Sequence, residues 1–254
     1  MIIKGANSAA TILVAATLLL LAGHPAVQAE SPRVLDVGRF SAERAGEWLP
    51  AGWAPFTFRG IDQHTDYRLV EEDGKVVVKA TAHASASGLM RRITIDPMEY
   101  PIVRWRWKAA NVLEKADIHR REGDDYPARI YIAFQYDPAK LSVSERIKYG
   151  VAKMLHGEHP PHAVLNYVWA SKAPVGLVVR NAYTERAMMI VVQSDAENLN
   201  AWVEEERNIL KDYKKAFNDD PPMISGVAIM TDTDNTGESA VAYYGDILFR
   251  KERE

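Results

Sequence analysis

Near the end of the chain, two apolar segments flank a short polar stretch. The segments are residues 224–231 and 240–249, and both are rich in the Val, Ile, Tyr and Phe residues that strands favour. Between them, residues 232–237 read DTDNTG, and Asp, Asn and Gly are common turn residues. The pattern predicts a β-hairpin.

The β-prone pattern recurs through the rest of the chain. Asp73-Gly74 separates residues 67–71 from residues 75–81, which is a strong signal for another hairpin. The other strand candidates are short apolar or alternating segments. They cover residues 34–40, 88–95, 101–108, 127–136, 163–170, 176–180 and 186–193.

Two capping boxes, each a Ser followed three residues later by a Glu, predict the starts of helices. The first box opens a helix over residues 142–155. The second opens a helix over residues 194–217, where apolar residues recur at helical spacing, acids come early and lysines late. Strands and helices together predict a mainly β protein, a jelly-roll-like β-sandwich with two inserted helices.

The N-terminus has a different composition. Lys4 precedes an apolar run over residues 9–22 that is too short to span a bilayer comfortably, and Val-Gln-Ala at 27–29 suits a signal-peptidase site. We expect residues 1–29 to be a cleaved signal peptide and residues 30–254 to form a single β-sandwich domain without a membrane span. An uncleaved N-terminal anchor is the alternative.

Composition narrows the class of protein. The chain is 47% hydrophobic and 26% charged, which is ordinary for a soluble globular protein. A formal net charge of −3 argues against a general nucleic-acid binder. Cys is absent, which excludes disulfide-stapled folds and thiol chemistry. For an exported chain of this kind we expect a periplasmic location.

Four motifs, taken in order, resemble one bacterial family of exported proteins, domain-of-unknown-function family 3047. The motifs are DDYPARIY at 124–131, NYVW at 166–169, the segment from Trp202 to Tyr213, and DTDNTG with YGDILF between 232 and 249. The resemblance covers residues 34–254 and implies a signal peptide and a single domain, but no activity. The closing YGDI also resembles the last strand of galactose-binding-like jelly rolls and carbohydrate-binding modules.

A polar group around the 127–136 segment is the main candidate for ligand binding. Apolar alternation assigns one face of this strand to the core, so Arg129 and Tyr131 should project from the other face, near the acids that precede the strand. Such a surface can grip a carboxylate or a sugar acid, and a Trp can stack on a sugar ring. The predicted ligand-binding residues are Arg129, Tyr131, Asp124, Asp125, Arg104, Arg106, Asn166 and Trp169. The alternatives are a structural Arg–Asp network on a solvated sheet face and a Trp side chain packed in the core.

Two acidic groups are candidate calcium sites. Asp232, Asp234 and Thr236 alternate oxygen-bearing side chains before a Gly, which suits a hard cation. In many jelly-roll binding modules an acid of the last strand helps hold a structural calcium against the first strand; the resemblance suggests Asp246 and Asp36 for this role. The alternatives are a hydrogen-bonded turn and an ion pair with an Arg.

Three functions are compatible with these features. The preferred hypothesis is a periplasmic, non-catalytic binding domain for a saccharide or another polar envelope component. The second is a glycan-directed hydrolase or lyase that uses Asp125 or Asp234 as acid or base and Arg129 as substrate anchor. The third is an envelope protein-interaction domain. Motifs of serine hydrolases, nucleotide-binding loops and zinc proteases are absent from the sequence.

Overall fold

Two β-sheets contain about half of the residues that the structure describes. The structure is a computed structural model that describes residues 32–46, 48–140 and 161–252. The described residues from Arg33 onward belong to one compact unit. The predicted signal peptide and the predicted helix over 142–155 lie outside the described residues.

The first sheet has six strands. Its spatial order is β11 (Val203–Asn208), β6 (Ile102–Ala109), β13 (Ser239–Arg250), β4 (Lys75–His83) and β3 (Asp66–Glu72), and β1 (Val34–Gly38) also pairs with β13. All of these pairs are antiparallel.

The second sheet has seven strands. Its spatial order is β2 (Ala54–Phe56), β5 (Ala86–Ile95), β12 (Ile224–Asp232), β7 (Tyr126–Phe134), β8 (Val164–Ala170), β10 (Ala187–Ser194) and β9 (Val178–Arg180). The β8–β10 pair is parallel and the others are antiparallel.

The main core lies between the two sheets and is rich in aromatic side chains. Trp105 of β6 lies against Tyr167 of β8, with ring centroids 5.2 Å apart, and Trp107 lies against Trp169 at 6.0 Å. All four side chains are fully buried. Because burial of large aromatic surface is a dominant favourable contribution to folding, these contacts hold the two layers together. The predicted mainly β sandwich is confirmed.

The hairpin predicted at Asp73-Gly74 is confirmed. It joins β3 to β4, and Glu72 pairs with Lys75 across the turn. Asp73 and Gly74 have φ angles of 51° and 72°. Positive φ at both central residues is what a two-residue type I′ turn requires.

The hairpin predicted over residues 224–249 is wrong. β12 pairs with β5 and β7 in the seven-stranded sheet, whereas β13 pairs with β1, β4 and β6 in the other. Residues 233–238 therefore cross from one layer of the sandwich to the other. A β-prone pattern identifies both strands but carries no information on which sheet each one joins.

The helix predicted over residues 194–217 is only half right. Val203–Asn208 is strand β11, in which Glu204 and Glu206 pair across the strands with Arg106 and Arg104. Helix α1 covers only Ile209–Phe217, and its N-cap Asn208 accepts a hydrogen bond from the backbone of Lys211 at 3.0 Å.

The remaining helical elements of the described chain are three short 3₁₀ turns, at Phe40–Ala42, Arg121–Gly123 and Pro138–Lys140. Two inserted α-helices are therefore not confirmed. None of the helices in the described part of the chain has the length and apolar character needed to cross a bilayer.

Candidate functional site

The outer face of the seven-stranded sheet carries three of the predicted ligand-binding residues, Arg129, Tyr131 and Asn166. Side chains alternate across a strand, so β7 directs Ile130 into the core and Arg129 and Tyr131 to the outer face. The strand register places Tyr131 beside Asn166 of β8, and Arg129 beside Met230 of β12. Loops also cover this outer face, because Arg129 is only 5% exposed and Asn166 only 1%.

Arg129 is held by a carboxylate and two aromatic rings. Its Nη2 donates a hydrogen bond to Oδ2 of Asp232, the last residue of β12. Its guanidinium lies over the ring of Tyr126, 5.0 Å from the centroid, and over that of Tyr131, at 5.4 Å. Cation–π contact and ion pairing both favour the charged guanidinium at this buried position.

Two acids at the start of β7 complete the surroundings of this pair. Asp125 is fully buried and accepts hydrogen bonds from the backbone N–H groups of Asn235, at 3.3 Å, and Thr236, at 2.6 Å. Asp124 accepts one from the side-chain amide of Asn181 at 2.9 Å. The two backbone hydrogen bonds to Asp125 connect the segment that crosses between the sheets to the start of β7.

These side chains form one group, which we call the acidic centre. Its members are Asp124, Asp125, Arg129, Asp232 and Asp234. Asp125, Asp232 and Asp234 each place one carboxylate oxygen within 4.8 Å of the other two. Oδ1 of Asp232 receives no hydrogen bond from any described residue. This separation is compatible with one cation shared by the three carboxylates.

Burial raises the pKa of Asp232 well above its ordinary value, and the charge of Arg129 opposes that rise. Burial also raises the pKa of Asp124 and of Asp234. Tyr126 is close enough to influence the pKa of Asp124, but its hydroxyl makes no hydrogen bond with good geometry. Burial therefore disfavours the charged forms of Asp124, Asp232 and Asp234, and a nearby positive charge opposes this effect.

An open groove adjoins the acidic centre on the same face. Its volume is about 790 Å³, and Tyr131 forms part of its wall. Aromatic and small side chains make most of the lining, and a few polar groups converge on it. The lining residues include Phe56, Phe58, Tyr131, Tyr136, Arg92 and Gln135. We call this feature the outer groove.

A second cavity, of about 600 Å³, lies against Tyr126. Charged side chains from the loop after β6 and from the loop after β8 line it. They include Lys115, Asp117, His119, Arg120, Glu122 and Lys172. Because acidic and basic side chains are mixed in this lining, neither positive nor negative charge dominates the cavity.

Three predicted ligand-binding residues lie elsewhere. Arg104 and Arg106 belong to β6 of the six-stranded sheet, where Arg104 pairs with Glu204 and Arg106 stacks on Trp202 at 4.3 Å. The expectation that they share a surface with Arg129 is wrong, because the two strands belong to different sheets. Trp169 is fully buried in the core, so its indole has no surface to offer a ligand.

Asn166 lies on the outer face, but it is buried. Its amide nitrogen donates to the Sδ of Met189 at 3.3 Å. Its carbonyl oxygen accepts no hydrogen bond from a described residue.

The other predicted metal ligands have local partners. Asp246 accepts hydrogen bonds from the backbone and hydroxyl of Ser41, at 2.8 and 2.5 Å, and Asp36 pairs with Arg39 at 3.8 Å. The hydroxyl of Thr236 accepts from the backbone of Glu238 at 3.3 Å. The Asp36–Asp246 calcium site stays a prediction.

Sequence reasoning missed Asp125 as a partner of the 232–237 segment, and it missed the outer groove altogether. Phe56 and Phe58 alternate around Thr57 and pack edge to face at 4.9 Å. This short alternation after Pro55 was the available signal. Asn181 carried no comparable signal, since it reaches Asp124 from a loop 57 residues away.

The family model for "Protein of unknown function (DUF3047)" matches residues 51–248. The chain belongs to this family. No curated protein matches the chain in sequence.

Solved structures similar to this DUF3047 chain have low sequence identity. The carbohydrate recognition domain of Emp47p is 11% identical, with a TM-score of 0.42 over 91% of this chain and 100% of its own. The family 30 carbohydrate-binding module of a cellulosomal cellulase from Clostridium thermocellum is 10% identical, with a TM-score of 0.37 over 87% and 99%. The glycoside hydrolase domain of Endo-D from Streptococcus pneumoniae R6 is 8% identical, with a TM-score of 0.32 over 80% of this chain and 22% of its own.

Proposed function

We propose that this DUF3047 protein is a non-catalytic domain that binds a saccharide, or another polar component of the bacterial envelope, in the outer groove. The observation that carries the proposal is the lining of that groove. Phe56, Phe58 and Tyr131 offer aromatic surface, while Arg92 and Gln135 offer hydrogen-bond donors. Aromatic rings suit the CH faces of sugar rings, and a few convergent polar groups orient the hydroxyls.

The burial of the acidic centre favours binding over hydrolysis. Asp125 is fully buried and already accepts two backbone hydrogen bonds, and Asp232 is 1% exposed and paired with Arg129. A glycosidase acid or base must reach the glycosidic oxygen or a water molecule beside it. Only Asp234, which is half-buried, keeps the hydrolase or lyase as an alternative.

The test is a glycan array, run beside a turnover screen on peptidoglycan and soluble polysaccharides. We expect at least one saccharide to bind without turnover. Phe58→Ala should weaken that binding by several-fold to about ten-fold, since one stacking face is lost. Trp48→Ala is the matched control, because Trp48 is an aromatic residue that is 54% exposed and does not line the groove.

Binding that Phe58→Ala leaves unchanged would place the ligand outside the groove. Turnover that is abolished by Asp234→Asn would instead support the hydrolase or lyase. Absence of any binding or turnover would favour the third function, an envelope protein-interaction domain.

We also propose that the chain is exported to the periplasm. The apolar run at 9–22 and the Val-Gln-Ala sequence at 27–29 support this. N-terminal sequencing of the protein from a periplasmic fraction should begin at Glu30, and a retained Met1 would contradict cleavage.

A further inference from the structure

The acidic centre brings together carboxylates from three different places in the chain. Asp125 precedes β7, Asp232 ends β12, and Asp234 lies in the crossing between the sheets. One oxygen of each lies within 4.8 Å of the others. We propose that Asp125, Asp232 and Asp234 hold one calcium ion.

The separation of the oxygens fits a shared ion. Calcium binds oxygen ligands at about 2.4 Å, so two oxygens on one calcium lie at most about 4.8 Å apart. Calcium also accepts several carboxylates and an irregular set of six to eight oxygens, which carbonyls and water can complete. Magnesium usually keeps most of its water and takes only one or two carboxylates, so a site with three carboxylates suits calcium better.

The net charge of the acidic centre also favours a bound cation. Four carboxylates, from Asp124, Asp125, Asp232 and Asp234, face a single guanidinium, that of Arg129. With all groups ionised the centre carries three excess negative charges, and three of its four acids are at most 5% exposed. Because buried charge is costly without a counter-charge, a divalent cation would relieve most of the imbalance.

A buried oxygen without a partner is an independent observation. Asp232 is 1% exposed, Arg129 binds its Oδ2, and its Oδ1 accepts no hydrogen bond from a described residue. Buried carboxylate oxygens are normally satisfied, so such an oxygen calls for an ion or a water molecule that protein atoms do not supply. Arg129 fixes Asp232 through Oδ2, and the proposal therefore assigns Oδ1 to the ion.

The experiment is calorimetric titration of calcium into the full chain after treatment with a chelator, together with melting curves in chelator and in calcium. We expect one calcium per chain and a higher melting temperature in calcium, because an ion that binds only the folded state stabilises it. Asp234→Asn should weaken calcium binding by about ten-fold or more. Asp234 is the least buried of the three acids, so this variant disturbs the fold least. Asp234→Ser provides a second test at the same position.

Asp36→Asn is the matched control. Asp36 is an exposed acid of β1 and belongs to the rival calcium site with Asp246. The Asp36→Asn variant should have the same calcium affinity and the same calcium-dependent melting shift as the wild type. The proposal is overturned if calcium produces neither heat nor a melting shift in the wild type. It is also overturned if Asp36→Asn, and not the Asp234 variants, removes calcium binding.

Discussion

The Nη2 atom of Arg129 donates a hydrogen bond to Oδ2 of Asp232, and the two side chains are only 5% and 1% exposed. Arg129 therefore acts as the buried counter-charge of a strand-end carboxylate. It is not exposed as a clamp for a ligand. The same guanidinium packs between Tyr126 and Tyr131, so it joins the acidic centre to the wall of the outer groove.

We predict that Arg129→Ala lowers the free energy of unfolding by roughly 3–5 kcal/mol, because it leaves Asp232 buried without its partner. Arg104→Ala is the control, since Arg104 makes an exposed pair with Glu204, and it should cost about 1 kcal/mol or less. Urea unfolding of the wild type and both variants gives the comparison. Equal losses in the two variants would show that the Arg129–Asp232 pair contributes no more than a surface ion pair.

We predict a pH-dependent loss of stability at Glu205. Burial raises the pKa of Glu205 above its ordinary value of 4.5, although a hydrogen bond from Gln193 at 2.7 Å opposes the rise. The folded state therefore holds the proton more tightly than the unfolded state. Stability contributed by this group is present below the ordinary pKa and is lost as the pH rises through the folded pKa.

The measurement is the free energy of unfolding at about pH 4 and about pH 7. As the pH rises from about 4 to about 7, the free energy of unfolding of Glu205→Gln should fall less than that of the wild type, because the Gln side chain does not ionise. Glu204→Gln, at an exposed position of the same strand, should follow the wild type. If the free energy of unfolding of Glu205→Gln changes with pH in the same way as that of the wild type, the raised pKa of Glu205 is contradicted.

A third prediction concerns two glycines where β5 pairs with β12. A Cβ added at Gly88 would lie 2.7 Å from the backbone oxygen of Ile229, whereas one at Gly226 would lie 3.1 Å from that of Arg91. A backbone oxygen in a central strand has little room to move. Gly88→Ala should therefore cost about 1–3 kcal/mol, and Gly226→Ala should cost less. Thermal unfolding of the two variants tests the order, and a larger loss for Gly226→Ala would contradict it.

The sequence predicts individual strands better than it predicts their assembly. Alternation in residues 127–136 correctly separates the core face of β7 from the face that bears Arg129 and Tyr131, because side-chain direction follows from the pleat alone. Alternation cannot say that β6 and β7 join different sheets. The pattern therefore groups Arg104 with Arg129, although the two residues face different sides of the sandwich.

Local signals also compete within one segment. The charge gradient and capping box over 194–217 suit a helix, yet residues 203–208 form a strand that pairs with β6. The Glu204–Arg106 and Glu206–Arg104 neighbours across the strands favour that pairing, and these tertiary contacts outweigh helix propensity. The outer groove was missed for a related reason, since its walls come from six strands and the loops next to them, and no single segment carries the pattern.

The position of β13 has a consequence for the order of events as the protein is made. β13 is the last of the strands in the described residues, and it lies between β4 and β6 and also pairs with β1. Without it, the six-stranded sheet is divided into the β3–β4 pair, the β6–β11 pair and an isolated β1. Pairings over such long sequence distances form slowly. Folding of this sheet must therefore follow synthesis of residues 239–250. A chain that stops before these residues leaves three unconnected parts of the sheet. Their open strand edges are prone to aggregate.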